Sequence, residues 1–259
     1  MKTVLHAVVA AFSTFSIIPM PEIDWDENSL RGLLAALPLV GAAIGAFLVL
    51  YYYIARGLGL SVILSAAVYT VLPIAISGGI HMDGFADTTD ARKSYGDPEK
   101  KRKILKDPHS GAFAVIGVTC YILLYFGLCC AFVHSLRTIL LLSITHVLAR
   151  TTGALAGTLL PGSTEEGMLS MFRKAASKAN VWVLLGWAAA CITGAAFLNF
   201  IAAPLFLIAS AAVFFYVKRT AEKQFGGMSG DLSGWCISLT SIVLLAVIVL
   251  SERLVAIWF

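Results

Sequence analysis

The sequence is organised around one polar stretch that follows a long apolar segment: Ser77-Gly78-Gly79-Ile80-His81-Met82-Asp83-Gly84-Phe85-Ala86-Asp87-Thr88-Thr89-Asp90. If residues 83–90 are helical, Asp83, Asp87 and Asp90 point within about 60° of one another, because each residue turns the helix by about 100°. Three acids on one stripe beside a bilayer repel each other and lose solvation unless a cation lies between them. The stretch therefore predicts a bound cation at the end of an apolar helix.

The composition around this stretch is that of an integral membrane protein. Of the 259 residues, 59% are hydrophobic and only 13% are charged, whereas soluble domains carry about 25% charged residues. Because no polar segment is long enough to fold separately, residues 1–259 are predicted to form one membrane domain that contacts lipid. The net charge is only +4, and the basic residues lie in short loops beside apolar segments, which argues against nucleic-acid binding.

The apolar segments predict an all-α, polytopic membrane helix bundle. A helix needs about 20 apolar residues to cross a bilayer, and residues 179–217 are too many for one crossing, so Asn199 and Pro204 are predicted to divide them. About seven transmembrane helices follow: 33–55, 57–80, 111–136, 138–160, the two halves of 179–217, and 232–251. The first apolar stretch, 3–18, is slightly short and is predicted to be an interfacial or re-entrant helix, with a short span as the alternative.

Two Asp-Pro pairs lie in the long polar segment 81–110, which is predicted to be mainly a loop. Asp97-Pro98 and Asp107-Pro108 each have the pattern of an N-cap followed by proline in the first helical turn. The first pair predicts a short basic helix over residues 99–106. The second predicts the start of the span 111–136.

The basic residues predict the orientation of the bundle. If segment 81–110 is cytoplasmic, all but three of the 19 Lys and Arg residues lie on the cytoplasmic side, the exceptions being Arg56, Arg137 and Arg253. This distribution follows the positive-inside rule and places the C-terminus outside. It also brings segments 81–111, 161–178 and 223–231 to one face, which predicts a cytoplasmic site.

The three aspartates of the first stretch are hard oxygen ligands, which suit Mg²⁺, with Mn²⁺ as the alternative. Magnesium usually takes one or two protein carboxylates and completes its shell with water and phosphate oxygens. The stripe therefore predicts a phosphorylated or diphosphate substrate. The plain alternative is a solvated loop whose aspartates cap helices.

Further candidates lie in the other segments that are predicted to reach the same face. Arg150 interrupts an apolar span, and its guanidinium suits a bidentate contact with phosphate, although it could instead extend to the membrane surface. The glycine-rich turn before the last span could offer backbone N–H groups to phosphate, with Asp231 as a further metal ligand. The substrate-binding candidates are Lys106, Asp107, Arg150, Gly226, Gly227, Ser229 and Gly230. His81 could orient a ligand, act as a general base, or cap the preceding span.

Three motifs together resemble the cobalamin synthase family, the adenosylcobinamide-GDP ribazoletransferases. They stand here as Gly78-Gly79-Ile80-His81-Met82-Asp83-Gly84-Phe85-Ala86-Asp87-Thr88-Thr89-Asp90, Lys106-Asp107-Pro108-His109-Ser110-Gly111 and Gly226-Gly227-Met228-Ser229-Gly230-Asp231. The match runs along the whole chain in the same order. The chain departs from the family pattern at four places: Ile17 replaces arginine, Ala91 replaces glycine, Ser229 replaces threonine, and no acid follows Asp231 in the last span.

The resemblance implies a late step of cobalamin biosynthesis at a prokaryotic inner membrane. It is also compatible with a homo-oligomer. A hydroxyl of α-ribazole, or of its 5′-phosphate, would attack adenosylcobinamide-GDP and release GMP. Asp83, Asp87, Asp90 and Asp231 would hold Mg²⁺, Lys106 and Arg150 would steady phosphates, and His81 or Asp83 would accept the hydroxyl proton. The resemblance also implies that Asp87 is a catalytic residue, together with His81 and Asp83.

Two other functions fit parts of the sequence. A CDP-alcohol phosphotransferase uses a similar acid-rich motif, but the arginine after its first Asp-Gly and its second acid pair are missing here. An ion-coupled transporter would carry acids near the middle of a span and internal repeats. Here the acids lie at span ends, and no repeat is visible.

Overall fold

A computed structural model describes residues 2–23, 25–164 and 167–258, and all regular structure in these ranges is helical. The α-helices are α1 (Lys2–Phe15), α2 (Glu27–Arg31), α3 (Leu33–Gly57), α4 (Val62–Ile76), α5 (Ile80–Lys93), α6 (Pro98–Ile104), α7 (Ala112–Ala131), α8 (Leu136–Leu159), α9 (Met168–Ala175), α10 (Lys178–Leu198), α11 (Ala202–Thr220) and α12 (Gly230–Trp258). A π-helical turn, Ala221–Phe225, continues α11. The predicted all-α class is confirmed.

Six helices of the described chain (α3, α7, α8, α10, α12, and α11 with its π-helical turn) are long and apolar enough to cross a membrane, and a seventh crossing results if α4 and α5 count as one bent span. The prediction of a multi-pass bundle with about seven crossings is therefore confirmed. The predicted division of 179–217 is also confirmed, because α10 ends at Leu198 and α11 starts at Ala202. Asn199 caps the new helix by accepting hydrogen bonds from the N–H groups of Ile201 and Ala202.

The predicted span over 57–80 differs in its bounds from the structure, because its helix covers only residues 62–76 and is followed by a bend. Ser61 caps α4, which is only 15 residues long, or about 22 Å at 1.5 Å per residue. After Gly78 and Gly79, which have φ of 64° and 78°, α5 leaves at 92° to α4. Left-handed φ values break a helix and suit glycine. Residues 80–93, which the sequence analysis placed in the long loop, are therefore helical. We call the bend at residues 76–80 the elbow.

The two Asp-Pro pairs behave differently. Asp97 caps α6 by accepting a hydrogen bond from Lys100 N at 2.8 Å, which confirms the short basic helix. Asp107 does not start α7, because its carboxylate accepts from His109 N at 2.9 Å within a local turn. Helix α7 starts later, with Gly111 in the N-cap position. Aspartate closes such turns as readily as it caps helices, so the local pattern could not separate the two.

Helix α1 supports the interfacial or re-entrant prediction rather than a span. Its 14 residues cover about 21 Å, whereas the hydrocarbon core measures about 30 Å. The chain after α1 is joined to the elbow, because Ile17 N donates to Ile76 O at 2.9 Å. One methyl of Ile17 also lies against Gly78. The end of α1 is thereby held beside the start of α5.

The centre of the bundle is α8, which packs against α3, α10 and α12. In the described structure 78% of the most apolar 18-residue stretch of α8 is buried, compared with 22% for α7 and 17% for α10. Gly41 and Gly45 of α3 meet His146 O and Ser143 of α8 so closely that any side chain there would clash. Small residues let membrane helices approach in this way, and α7 and α10 are left to face lipid.

The two ends of the bundle carry different loops. At one end, Arg102 Nη1 donates to Phe225 O at 2.9 Å, and Met228 N donates to Pro161 O at 2.7 Å. These contacts join segments 81–111, 161–178 and 223–231 at one face, as the sequence predicts. At the other end, Arg253 donates to Ala131 O. We call these the motif end and the far end; that the motif end is cytoplasmic and that the C-terminus lies outside remain predictions.

Candidate active site

Helix α5 carries the acidic stripe at the motif end. Its inner side buries His81, Phe85 and Thr88 against the bundle. Asp83 is exposed, and Asp87 and Asp90 are half-buried. The helical assumption behind the stripe is therefore correct, and the three carboxylates lie on the more open side of one helix.

Helix α12 brings a fourth carboxylate to this stripe. A Cβ at Gly84 of α5 would lie 2.8 Å from Asp231 O and 3.0 Å from Asp231 Cα. One at Gly234 of α12 would lie 3.2 Å from His81 O. Two helices can approach this closely only where small residues face each other. The Gly84–Gly234 contact thus places the start of α12 beside the middle of α5.

A second glycine makes room for Asp90. Any side chain at Gly111 would overlap both carboxylate oxygens of Asp90. Gly111 also caps α7, so the last residue of the second sequence motif lies directly against the last acid of the first motif. The two motifs are separate in the sequence, and the structure brings them into contact at these two residues.

The four carboxylates repel one another. Burial, followed by the charges of Asp83, Asp231 and Asp90, raises the pKa of Asp87 to about 6. Asp87 lies on the polar part of the bent α4–α5 pair, beyond the elbow and beyond the apolar helix α4. Within the described chain, no Lys or Arg nitrogen is recorded within 4.0 Å of these acids.

An uncompensated set of hard oxygen donors is what a divalent cation such as Mg²⁺ would neutralise. No group of three or more His, Cys, Asp or Glu side chains in the described ranges is already gathered around one point as a metal cage. Magnesium does not require such a cage, because it commonly keeps water and substrate phosphates in its shell. The donors present therefore fit a metal that is shared with a substrate.

The glycine-rich turn before α12 is closely packed. Gly226 and Gly227 have φ of 73° and 144°, and both N–H groups donate to Ala221 O. A Cβ at Gly227 would overlap the backbone of Gly162. These two N–H groups are thus used within the protein, and their predicted contact with phosphate remains a prediction.

Ser229 links this turn to the metal candidates. Its Oγ accepts from Leu232 N at 3.2 Å and donates to Asp231 Oδ2 at 3.4 Å. Ser229 therefore caps α12 and orients Asp231, as the threonine of the family pattern could also do. Gly230 follows it as the first residue of α12, where N–H groups of a helix start point outward.

His81 lies behind the acids rather than among them. Its ring stacks on Phe15 with centroids 5.7 Å apart, and its Nε2 is buried without a hydrogen-bond partner in the described structure. The backbone carbonyl of His81 accepts from Ser238 Oγ at 3.2 Å. Burial, followed by the charge of Arg150, lowers the pKa of His81 well below its ordinary value, so the ring is held neutral.

Arg150 lies deeper still, in a small chamber of about 40 Å³ that His81 also lines. Its side chain is 2% exposed, its Nη1 donates to His146 O at 3.2 Å, and its Nε has no partner in the described structure. The alternative that Arg150 extends to the membrane surface is therefore wrong. The structure places it behind His81, away from the carboxylates.

Lys106 and Asp107 lie apart from the acids. Both are exposed in the loop between α6 and α7, and the recorded bonds of the Asp107 carboxylate go to His109. The structure thus brings Asp83, Asp87, Asp90 and Asp231 into the same region of the motif end, where their charges act on Asp87, with Ser229 and His81 adjoining. Lys106, Asp107 and Arg150 lie outside this region.

Sequence reasoning missed Arg92, which lies two residues after Asp90 on α5. Its guanidinium lies 4.5 Å from the Trp235 ring centroid and donates to Tyr216 Oη at 2.7 Å. Lys101 Nζ donates to Arg92 O at 3.1 Å. The motif end therefore carries a cation held in place by aromatic side chains, on the same helix as three of its acids. The aromatic partners lie more than a hundred residues away in the chain, so no local signal could have identified Arg92.

Comparisons with known proteins agree with these motifs. Residues 7–249 match the model of the family described as cobalamin-5-phosphate synthase. A protein from Lachnoclostridium phytofermentans named adenosylcobinamide-GDP ribazoletransferase is 35% identical over 252 residues, which cover 97% of this chain and 96% of that protein.

Relatives with the same name occur in Clostridium botulinum, at 32% identity over 94% of this chain and 96% of that protein, and in a Geobacillus species, at 33% over 90% and 91%. No solved structure matches the chain.

Proposed function

The chain belongs to the cobalamin-5-phosphate synthase family, and we propose that it catalyses the transfer that the name of its relatives describes. It is a transferase of cobalamin biosynthesis and a multi-pass membrane protein. Its substrates are adenosylcobinamide-GDP and α-ribazole or α-ribazole 5′-phosphate. The observation that carries this proposal is the convergence of four carboxylates from α5 and α12 at one end of a membrane bundle.

The proposed reaction breaks a phosphoanhydride bond of the diphosphate and forms a phosphoester bond. A ribose hydroxyl oxygen of the ribazole attacks the cobinamide-side phosphorus of the diphosphate. The bond from that phosphorus to the bridging oxygen breaks, and GMP leaves with the electron pair. The hydroxyl proton passes to a base in the protein, and the product is adenosylcobalamin or its phosphate.

Asp83, Asp87, Asp90 and Asp231 are the residues that would hold the divalent ion, Mg²⁺ or Mn²⁺. When bound, the ion would neutralise the charge that develops on the diphosphate oxygens. The contribution of the protein is positioning: the Gly84–Gly234 contact fixes α5 against α12, and Ser229 orients Asp231.

Two groups are candidates to accept the hydroxyl proton. His81 offers an unpaired Nε2, and Asp83 is the most exposed of the three acids on α5. Both residues line the same groove, together with Asp231, but Asp83 is exposed whereas the Nε2 of His81 is buried, which favours Asp83.

The phosphates would be held from several sides. The start of α12 at Ser229 and Gly230 offers N–H groups, and Lys106 and Arg92 supply positive charge at the same end of the bundle. His81 separates Arg150 from the acids. Arg150 would therefore act on a bound phosphate through its charge at a distance, and a direct contact would require α5 to move. Electrostatic stabilisation is the main protein contribution in phosphoryl transfer.

This proposal places the active site on the cytoplasmic side of a prokaryotic inner membrane, in contact with lipid. Neither rival has a comparable observation in its favour. The family match covers most of the chain, and the acids lie on the polar helix α5 and in the first turn of α12, not in the middle of a span, where a transporter would carry them.

The test is Asp87→Asn in the purified protein in nanodiscs. GMP release from adenosylcobinamide-GDP should require both α-ribazole and a divalent cation, and Asp87→Asn should lower its rate at least 100-fold. Asp97→Asn is the matched control, because this exposed residue caps α6 and asparagine caps helices equally well. Wild-type activity in Asp87→Asn would remove that residue from the site.

Metal binding can be checked without the reaction. Millimolar Mg²⁺ should raise the midpoint of thermal unfolding of the wild-type and Asp97→Asn proteins, because it relieves the repulsion among the carboxylates. The increase should be much smaller in Asp87→Asn. An equal increase in all three proteins would show that the ion binds elsewhere.

A further inference from the structure

A groove of about 250 Å³ opens beside the acidic stripe. Helices α1, α3, α5, α9 and α12 form it. Its lining residues are Phe15, Leu34, Leu37, Ile80, His81, Asp83, Met168, Leu169, Phe172, Gly230, Asp231, Ser233, Gly234 and Ile237. The groove therefore has an apolar wall and one acidic end.

The apolar wall contains a fixed set of rings. Phe15 stacks on His81 at an interplanar angle of 26°, and it meets Phe172 edge-on at 71° with centroids 6.4 Å apart. Phe172 is 5% exposed. Because Ile17 joins the end of α1 to the elbow, Phe15 is held in register with His81. Such a wall suits a flat aromatic ring, which gains from stacking and edge contacts.

The acidic end of the groove determines the orientation of a bound ligand. Asp83 and Asp231 both line the groove, and they belong to the carboxylate group that would hold the metal. A molecule whose ring enters the apolar part therefore has its other end at the acids. A base attached to a sugar has this shape, because the ring would lie against Phe15 and Phe172 while a sugar hydroxyl reaches the metal.

The groove also discriminates between the aromatic parts of the two substrates. Drug-sized ligands occupy pockets of about 300–1,000 Å³, so a groove of about 250 Å³ cannot enclose a corrin ring. Guanine would fit by size, but the wall formed by the side chains of Leu34, Leu37 and Phe172 offers no hydrogen-bond partner, so a polar edge placed against it would lose hydrogen bonds. The hydroxyl of Ser233 already donates to Gly153 O at 3.2 Å. An azole base has few polar atoms, so it would lose fewer hydrogen bonds than guanine on entering the groove.

We propose that this groove binds the azole base of the ribazole acceptor and directs its ribose to Asp83 and Asp231. The inference rests on the proposed function. It gives a specific role to α1, whose 14 residues are shorter than the hydrocarbon core, because the last residue of α1 forms one wall of the acceptor site. The guanosine and corrinoid parts of the donor then lie outside the groove, on the open side of the acids.

The experiment measures binding of α-ribazole alone, by isothermal titration calorimetry on protein in nanodiscs, so that no reaction is needed. Phe172→Ala should weaken binding at least 10-fold and raise the KM for α-ribazole by a similar factor. The KM for adenosylcobinamide-GDP should change less than 2-fold. Met171→Ala is the matched control, because Met171 lies on the same short helix but is 53% exposed; it should bind like wild type.

A second variant covers the case in which Phe172→Ala unfolds. Phe172→Leu keeps the core filled and removes only the ring, and it should weaken α-ribazole binding several-fold while thermal unfolding stays within a few degrees of wild type. A nucleoside with a purine base should bind more weakly than α-ribazole to the wild type, and this preference should shrink in Phe172→Leu.

The outcomes separate the two proposals. If wild type binds α-ribazole and neither Phe172 variant weakens binding, the groove is not the acceptor site, although the proposed function stands. If the Phe172 variants weaken binding of GMP or raise the KM for the donor instead, the groove holds guanine. If wild type binds no α-ribazole and releases no GMP, the proposed function itself fails.

Discussion

Asp87 and Arg150 have no ion-pair partner recorded in the described structure, unlike Lys103 and Glu99 on the nearby α6. Asp87 lies among three other carboxylates, which together with burial raise its pKa to about 6. Arg150 is buried in the next layer, with a hydrogen bond to a carbonyl of its own helix. Isolated charges of this kind reduce stability. Both are therefore better explained by the ligand that the site is built to receive than by folding.

Arg150 offers a direct test of this explanation. Replacing a buried, unpaired charge with an apolar side chain of similar length is often neutral or stabilising. Arg150→Met should therefore unfold at the same temperature as wild type or at a higher one. Its free energy of unfolding should rise by up to about 2 kcal/mol. It should lower GMP release at least 10-fold, because the positive charge behind His81 is lost.

Arg150→Lys is the companion variant. It keeps a charge but loses the planar donor fork, so it should be less stable than Arg150→Met. If Arg150→Met instead unfolds at lower temperature in proportion to its loss of activity, Arg150 is a structural residue and its proposed contribution to phosphate binding is wrong.

At the scale of helices, close approach through glycine decides where the acids lie. Asp83 and Asp87 are on α5, and Asp231 is on α12. These helices can contact each other only because Gly84 and Gly234 carry no side chain. The elbow contributes in a different way: it turns α5 by 92° from α4, so that a polar helix need not enter the hydrocarbon.

The contact between α5 and α12 can be tested by adding one methyl group. In Gly84→Ala the new Cβ would meet backbone atoms of Asp231 at 2.8–3.0 Å, which cannot move without displacing α12. Overpacking of this kind costs about 1–3 kcal/mol. GMP release should fall at least 30-fold, because the carboxylates move apart.

The control is Gly186→Ala on α10, where a Cβ would meet no atom within 4 Å. It should leave activity and the midpoint of thermal unfolding close to those of wild type. Full activity in Gly84→Ala would show that the α5–α12 distance does not matter for the reaction.

At the scale of the whole molecule, the two ends of the bundle differ in charge and in content. The motif end carries most of the basic residues as well as the acids, and the far end carries Arg56, Arg137 and Arg253. Positive charge marks the cytoplasmic side of membrane proteins. A cytoplasmic motif end is also where two nucleotide-like substrates and Mg²⁺ would be present.

This orientation can be measured with single cysteines. Lys103→Cys on α6 and Leu58→Cys, which follows α3 at the far end and is 70% exposed in wild type, lie at opposite ends of the bundle. A membrane-impermeant maleimide should label Leu58→Cys in intact spheroplasts and Lys103→Cys only in inverted vesicles. The wild type, whose five cysteines lie within α7, α10 and α12, is the background control. The reverse labelling pattern would overturn the predicted topology.

Much of the fold could be predicted from the chain itself, because it depends on neighbouring residues. The number of spans follows from hydropathy, and the division of 179–217 follows from Asn199. Helix α6 follows from the capping pattern at Asp97. The acidic stripe follows from the helical period alone. In each case the decisive interactions join residues within a few positions, or join a side chain to lipid.

Other features depend on contacts between distant parts of the chain, and only the tertiary structure decides them. The overlap of Gly111 with Asp90, the approach of Gly84 to Asp231, and the stack of Phe15 on His81 each join separate helices. The elbow is an intermediate case, since Gly78-Gly79 permits a bend but does not require one. Packing selects among the backbone paths that the local sequence allows, because the close contacts of a site form only when whole helices meet.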